Sequence, residues 1–495
     1  MARPNTVHVP KPRDMFDRDW EWSELTAFVT GDQPGIGLGV VSGRRRQGKT
    51  FLLDKLVTAT GGLFFGAEEV TEAESLRQLG AAIGRVTGSG EPARLDSWQQ
   101  AVQALLHLGA EHPFTIVIDE FPYLVGASPA LPSILQNAIG ARTGPRLALR
   151  PRLLLCGSAM SFMGKLLSGS APLRGRAGLE LVVHPLGYRK AADFWGIQDS
   201  RLAVLTHAIV GGTPAYRREF VNDDAPASLE DFDDWVRRAV LNPARPLYRE
   251  APYLLAEETD LADRSLHHSV LAAVSLGNST RGGIAGWMGR PSPDLDHPLT
   301  VLRDCGLLAV EPDAFRPERI RYRIAEPLLT FHHAVVRPIQ DQLGRRQAAT
   351  AWSRSKERFN SQVLGPHFEH LCREWVMDFA GTETFGGLPL EVSSGTVPDA
   401  ERRISHELDV VVRGAVGQDT GILLSIGEAK WNKVMDLRHL ERLRHVLTLL
   451  AARGEDISRT VPACYSAAGF TPDLRAAETR GEVVLVDLNR LYHGE

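Results

Sequence analysis

The sequence specifies an α/β protein of more than one domain, with a parallel sheet in its N-terminal part. Three stretches carry that expectation. Leu38 to Ser42 is an apolar run that enters the loop Gly43-Arg44-Arg45-Arg46-Gln47-Gly48-Lys49-Thr50, and Phe51 to Leu56 continue as an apolar-faced helix. Phe114 to Ile118 is nearly continuous in apolar residues, as a strand buried on both faces must be, and it ends in Asp119-Glu120. Far downstream, "ILLSIGEAKW" is a third apolar run, with Glu428 and Lys430 on one strand face by the period of two. At 495 residues the chain exceeds what one core holds.

Composition bounds the rest. A charged fraction of 23% beside 43% hydrophobic residues is the balance of a folded globular protein. The net charge of -4 argues against global attraction to nucleic acid and leaves room for local basic surfaces. Cys156, Cys305, Cys372 and Cys464 lie far apart without paired spacing, which points to neither a disulfide framework nor a zinc site and fits a reducing compartment. The opening "MARPNTVHVPKPRDMF" lacks the apolar stretch of a signal peptide, and no later run reaches the length of a membrane span. The expectation is a cytoplasmic protein with no membrane partner.

The first stretch fits GxxxxGK[ST] in its strand–loop–helix setting. Inward-pointing N–H groups and the positive end of the following helix cradle phosphates, so Gly43, Arg44, Arg45, Arg46, Gln47, Gly48, Lys49, Thr50 and Phe51 are expected to bind ATP. Lys49 would reach the β- and γ-phosphates, and Thr50 and Asp119 would hold Mg²⁺. Glu120 is the expected general base toward the attacking water. A further strand, "RPRLLLCGS", ends at Ser158, which either senses the γ-phosphate or caps a helix. Arg174 and Arg176 sit in a loop punctuated by glycine and proline, and Arg176 is taken with the nucleotide-binding set as a stabiliser of transition-state charge. Pro214, in "GGTPAYRREF", lies at a turn that touches the nucleotide or simply redirects the chain.

Taken in order, "FDRDWEWSEL", "GRRRQGKTFLL", "IDEFPYL", "PSILQNAI", "CGSAMSFMGKLL", "APLRGRAGLEL" and "GGTPAYRREF" resemble the archaeal-type ATPase family within the AAA+/STAND-like P-loop NTPases. The likeness covers roughly the first half of the chain. It implies that Phe16, Arg18, Glu24 and Leu25 stand near the nucleotide base, although Trp20 and Trp22 depart from the usual pattern. It also implies a winged helix next. The residues from "DRSLHHSVL" to "RIRYRIAEP" read as three helices and a hairpin, with Arg316, Arg319, Arg321 and Arg323 in the wing. The third helix carries Asp294, Asp296 and Asp304 with only Arg303 to oppose them, so protein contact and DNA contact stand as equal uses.

In the last part, Phe368, Leu371, Trp375 and Phe379 follow helical spacing, with Glu369 near the helix start. Asp409 on one strand and Glu428 with Lys430 on the next would meet this helix at a sheet rim. That set suits a second Mg²⁺ or Mn²⁺ held by Glu369, Asp409 and Glu428, beside a lysine that activates water. The order resembles the PD-(D/E)xK restriction-endonuclease-like fold, which is fused behind archaeal-type ATPases; the proline usual before the aspartate is replaced here by His406-Glu407-Leu408. A basic helix, "LRHLERLRHVLTLLA", follows and offers Arg438, Arg442 and Arg444 to a phosphate backbone or to solvent.

The expected organisation is a P-loop ATPase core over 1–188, a helical lid over 189–262, a winged helix over 263–335, a linker over 336–355 and a nuclease-like domain over 356–495. The functional expectation is a Mg²⁺-dependent ATPase coupled to a DNA-binding, DNA-cleaving domain, with Lys49, Glu120, Asp409, Glu428 and Lys430 as catalytic residues. The alternative is a STAND-like nucleotide switch that binds nucleic acid or protein without cutting. A homo-oligomer, with a loop arginine acting in trans, or a partner protein accompanies either reading.

Overall fold

A computed structural model describes residues 9–140, 149–256 and 264–495. Residues 1–8 of the opening segment and the expected boundary at 262–263 lie outside the described residues. The chain divides into two compact units, one up to Pro185 and one from Leu186 onward.

In the first unit, β1 (Gly37–Ser42), β2 (Gly62–Gly66), β3 (Phe114–Asp119), β4 (Pro151–Gly157) and β5 (Leu179–Val182) form a sheet in the order β2-β3-β4-β1-β5. Every neighbouring pair is parallel. Alternate residues therefore feed two cores. Val40, Ile116, Ile118, Leu153 and Leu155 face one layer of helices. Val41, Val117, Leu154 and Cys156 face the other layer, with α1 (Asp19–Thr30) and α2 (Lys49–Thr60). Burial on both faces explains why these strands read as continuous apolar runs.

The order has a consequence for chemistry. Because all strands run the same way, the C-terminal ends of β1, β3 and β4 lie along one edge of the sheet, with β4 between the other two. Ligand sites of open α/β sheets form at such an edge.

The second unit starts with helices Tyr188–Trp195 and Ser200–Val210, and its last residues return to them. Tyr188 Oη donates to Leu491 O at 2.6 Å, and Arg189 donates to Leu491 O and Gly494 O at 2.9 and 2.7 Å. Residues 336–355, expected as a helical linker, are largely helical, and Ile339, Leu343, Ala351 and Trp352 are buried in the core of this unit. The polar composition of that stretch conceals how few apolar side chains are needed to dock it.

Helices Arg264–Ser275, Arg281–Met288 and Asp296–Asp304 precede the antiparallel hairpin β6 (Leu308–Asp313) and β7 (Arg316–Ile324). The third helix opens with a 3-10 turn at Ser292–Leu295. Its exposed face is acidic. Asp296 pairs with Arg281 at 2.8 Å, and Arg303 is bound to Asp304 at 2.9 Å. The wing is turned inward on the chain. Ala314 N donates to Ser394 O at 2.9 Å, and Arg321 reaches Thr396 and Glu407 at 3.0 and 3.2 Å.

Behind it stands a mixed sheet in the order β12-β11-β10-β9-β8. Its strands are β8 (Leu388–Asp399), β9 (Ile404–Val416), β10 (Asp419–Lys430), β11 (Val461–Ser466) and β12 (Val484–Asp487). The pairs β8–β9 and β9–β10 are antiparallel, whereas β10–β11 and β11–β12 are parallel. Val410, Val412, Leu424 and Ala429 pack in the core that holds α3 (Gly365–Asp378). Leu408, Val411, Leu423 and Ile426 pack under α4 (Leu437–Ala451). No described helix is long and apolar enough to cross a membrane.

Candidate functional site

The loop after β1 is built on two glycines with positive φ, 148° at Gly43 and 84° at Gly48. Any side chain at Gly43 would also strike the Val183 carbonyl oxygen, 2.4 Å from where its Cβ would lie. Arg18 braces the loop from outside. Its guanidinium donates to Gln47 O and His184 O at 3.3 and 2.8 Å and pairs with Glu21 at 2.9 Å. These bonds make Arg18 a buried brace of the loop backbone. Phe16 and Glu24 are exposed and Leu25 is buried.

Lys49 is buried, and its Nζ donates to Gly43 O and Arg44 O at 2.6 and 2.8 Å. Burial holds its pKa below the usual lysine range. An ammonium resting on two carbonyls inside a ring of backbone N–H groups exchanges those weak partners for an anion at little cost.

Opposite the loop, Thr50 Oγ1 donates to Asp119 Oδ2 at 2.7 Å, which joins α2 to the end of β3. Asp119 Oδ1 accepts from Glu120 N at 3.0 Å. Glu120 has left-handed backbone angles, φ 51° and ψ 42°, a costly conformation for a residue with a side chain. The twist ends the strand and frees the carboxylate from its line. Ser158 Oγ lies 2.8 and 2.9 Å from the two oxygens of that carboxylate. The Ser158 side chain is buried just past β4 and directed at Glu120, and it does not cap the helix Met160–Leu167 that follows. Thr50 and Asp119 offer the hard oxygen donors that Mg²⁺ prefers.

The remaining nucleotide-site residues are distributed as follows. Gln47 is buried, and Arg44 and Arg46 are half-buried. Arg45 donates to Tyr123 Oη at 2.8 Å, and Phe51 is exposed with Lys55 over its ring. Arg176 is exposed on the loop before β5 and lies against Gly140. Pro214 belongs to the second unit, just before the π-helical turn Tyr216–Phe220.

A second acidic cluster occupies the rim of the mixed sheet. Lys430 Nζ lies 3.0 Å from Glu428 and 3.9 Å from Asp409, and Ala429 N donates to Asp409 at 2.8 Å. Glu369, from α3, joins Lys430, Asn360, Ser361 and Trp431 in the wall of a cleft of 570 Å³. Burial, followed by the charge of Asp409, pushes the Glu369 pKa up to about 8. Burial raises Asp409 as well. Glu428 moves the other way because Lys430 and then Arg442 outweigh its burial, and Lys430 is raised because Asp409 and Glu428 outweigh its own. Glu369 and Asp409 resist ionising together, and a divalent cation between them would favour the ionised pair.

Two members of this cluster escaped the sequence reading. Arg442 Nη1, from α4, lies 2.6 Å from Glu428 Oε2, and Arg373, from α3, donates to Asp409 O at 2.9 Å. Basic spacing on α4 was the available signal, and two other arginines of that helix are exposed and paired with acidic side chains. Arg438 binds Asp436 at 2.9 Å and Arg444 binds Glu482 at 2.7 Å. Wing arginines are similarly engaged, Arg321 with Glu407 and Arg323 with Glu311 at 2.6 Å, while Arg316 and Arg319 are exposed.

No known protein-family profile matches the chain. An uncharacterized protein of Methanocaldococcus jannaschii is 24% identical over 366 residues, which span 73% of this chain and 77% of that protein. Among solved structures, the Walker-type ATPase of Pyrococcus abyssi superposes with a TM-score of 0.50 at 21% identity, over 67% of this chain and 98% of its own. The ORC2 protein of Aeropyrum pernix, in ADPNP and ADP complexes, gives a TM-score of 0.41 at 14% identity over 68% and 96% of the two chains. With its parallel five-stranded sheet, the first unit has the P-loop NTPase fold.

Proposed function

We propose that the protein is a Mg²⁺-dependent ATPase that controls a metal-dependent DNA-cleaving site in its C-terminal part. The observation that carries the ATPase reading is the continuous chain Thr50–Asp119–Glu120–Ser158 facing the loop of Lys49. ATP would lie with its phosphates on the N–H groups of 43–50, and Thr50 and Asp119 would hold Mg²⁺, which supplies charge neutralisation between the phosphates. Lys49 would leave its two carbonyls for phosphate oxygens. Glu120 would accept a proton from water, and Ser158 would keep its carboxylate aimed until the γ-phosphate competes for the hydroxyl. Arg176, on an exposed loop, is proposed as a stabiliser of transition-state charge, and Pro214 as a nucleotide contact.

Support for the nuclease reading comes from Lys430, which lines a cleft together with Glu369 and lies beside Glu428 and Asp409. Glu369, Asp409 and Glu428 would hold Mg²⁺ or Mn²⁺, and Lys430 would orient a water and offset phosphate charge. The division into core, lid, winged helix, linker and nuclease-like domain given above is part of this proposal, as is DNA as the partner.

One observation favours the nucleotide-switch alternative. Arg442 occupies the Glu428 oxygen that a metal would take. The acidic third helix and the inward wing likewise suit contact with protein.

The test is cleavage of circular, linear and single-stranded DNA by the full chain with Mg²⁺ or Mn²⁺, with and without ATP. Cutting that disappears in Lys430→Ala supports the nuclease reading, and its response to Lys49→Ala shows whether ATP gates it. Intact ATP hydrolysis with no cutting under any condition would favour the switch.

A further inference from the structure

Where β8 ends and β9 begins, beside α4, three potential ligands converge. Asp399 closes β8, His406 lies near the start of β9, and His445 projects from α4. His445 Nε2 is 2.8 Å from Asp399 Oδ2, and His406 Nε2 is 3.5 Å from the same oxygen. One donor atom from each lies within 4.8 Å of the other two. The Asp399 side chain is 2% exposed and that of His406 is 8% exposed, whereas His445 is 32% exposed and opens the group to solvent. His406 Nε2 is buried with no hydrogen-bond partner. A buried ring nitrogen aimed at a carboxylate without bonding to it is costly unless something lies between them.

We infer that Asp399, His406 and His445 form a site for a divalent transition-metal ion of the zinc type, distinct from the Glu369–Asp409–Glu428 cluster. Two imidazoles and one carboxylate from three separate elements are a three-ligand zinc set that leaves one position to solvent. Imidazole nitrogen selects against Mg²⁺ and Ca²⁺, which take oxygen. Arg402 N donates to Asp399 Oδ1 at 3.0 Å, which holds the carboxylate in place and leaves Oδ2 to the ring nitrogens. The Arg402 guanidinium stands 3.8 Å from Oδ2, on a 63% exposed side chain that can swing away.

The ion would do more than fill a gap. His445 lies three residues beyond Arg442 on α4, so both project from one face of the helix. Pinning His445 to the β8–β9 end fixes the height of α4, and with it the Arg442 guanidinium on Glu428. A transition metal at this place thereby positions the partner of the other acidic cluster.

Metal-stripped full-length protein should bind one Zn²⁺ in calorimetric titration with a Kd on the order of 1 µM or tighter. Co²⁺ in its place should give the intense visible bands of a tetrahedral site, and X-ray absorption of the zinc form should show imidazole nitrogen in the shell. His445→Ala and His406→Gln should each weaken Zn²⁺ by on the order of 100-fold, with the far-ultraviolet circular dichroism retained. Absence of Zn²⁺ binding, unchanged affinity in both folded variants, or an oxygen-only shell would overturn the site and leave a hydrogen-bonded His–Asp–His group. If a variant fails to fold, the absorption spectrum of the unaltered protein decides alone.

Discussion

The two lysines at the acidic sites rest in opposite company. Lys49 sits on neutral backbone carbonyls, close to but not paired with Asp119 and Glu120. Lys430 is ion-paired with Glu428, which also holds Arg442. In the first site the cation is held ready for an anion, and the carboxylates are occupied by hydroxyls that a metal displaces easily. The second site has satisfied its own charges, so a cation must compete with two side chains. One site is therefore poised and the other latched, and a signal that moves α4 would matter only to the second.

Four measurements would break or sharpen that contrast. Lys49→Ala should lower ATP turnover by about 10²–10³-fold in a steady-state phosphate-release assay and leave divalent-metal binding at the mixed sheet unchanged. Lys430→Ala should remove metal-dependent DNA cutting by at least about 10²-fold while ATP turnover persists; equal loss of both activities would mean that the sites cannot be treated separately.

The third measurement uses pH. The described histidines of the first unit, His107, His112 and His184, are exposed. In the second unit, burial lowers the pKa of His207 and His332 to about 4, and takes His333, His367 and His370 well below the usual value. Arg323 and Arg337 nearby oppose protonation further. Above an unfolded-state pKa of about 6.5 these groups are neutral in both states and cost nothing. As pH falls from there toward 4, only the unfolded chain gains protons, so stability is lost across that window, by up to roughly 3 kcal/mol for each of His207 and His332. Pulse proteolysis with mass mapping should find the second unit yielding first between pH 6 and 4, and the reverse order would refute the argument.

Arg442→Ala gives the smallest effect. It leaves Glu428 with one cationic partner, so Mn²⁺ should bind this cluster about two- to fivefold more tightly. Unchanged or weaker binding would show that Arg442 supports the site instead of latching it.

The first site could be read from the sequence because its parts are local. A loop of eight residues sets its own glycine angles, and an Asp-Glu pair ends a strand whose apolar run announces burial. The Thr50–Asp119 and Ser158–Glu120 contacts depend on strand order, and sequence left that serine between two roles. At the second site, period-two alternation correctly grouped Glu428 with Lys430, but a bulge intervenes on β9. Ser393 pairs with Val411 and Gly395 with Leu408, so β9 carries one extra residue around Asp409, where no glycine or proline marks it. Arg442 was visible only as one cation among many on α4. Its partner lies on a strand that precedes it by more than a turn of sequence logic, and only packing chooses Glu428 over solvent. The same holds for residues 336–355, where a few buried side chains in a polar stretch decide between a tether and a packed helix.

The return of Leu491 and Gly494 to Tyr188 and Arg189 bears on how the protein is made. Domains fold as they emerge, N-terminal first, and the first unit has all its strands once Val182 has left the ribosome. The second cannot close until the helix Leu488–His493 is free, so during translation a finished P-loop unit would precede an open one. Chaperone demand should therefore fall on the late segment.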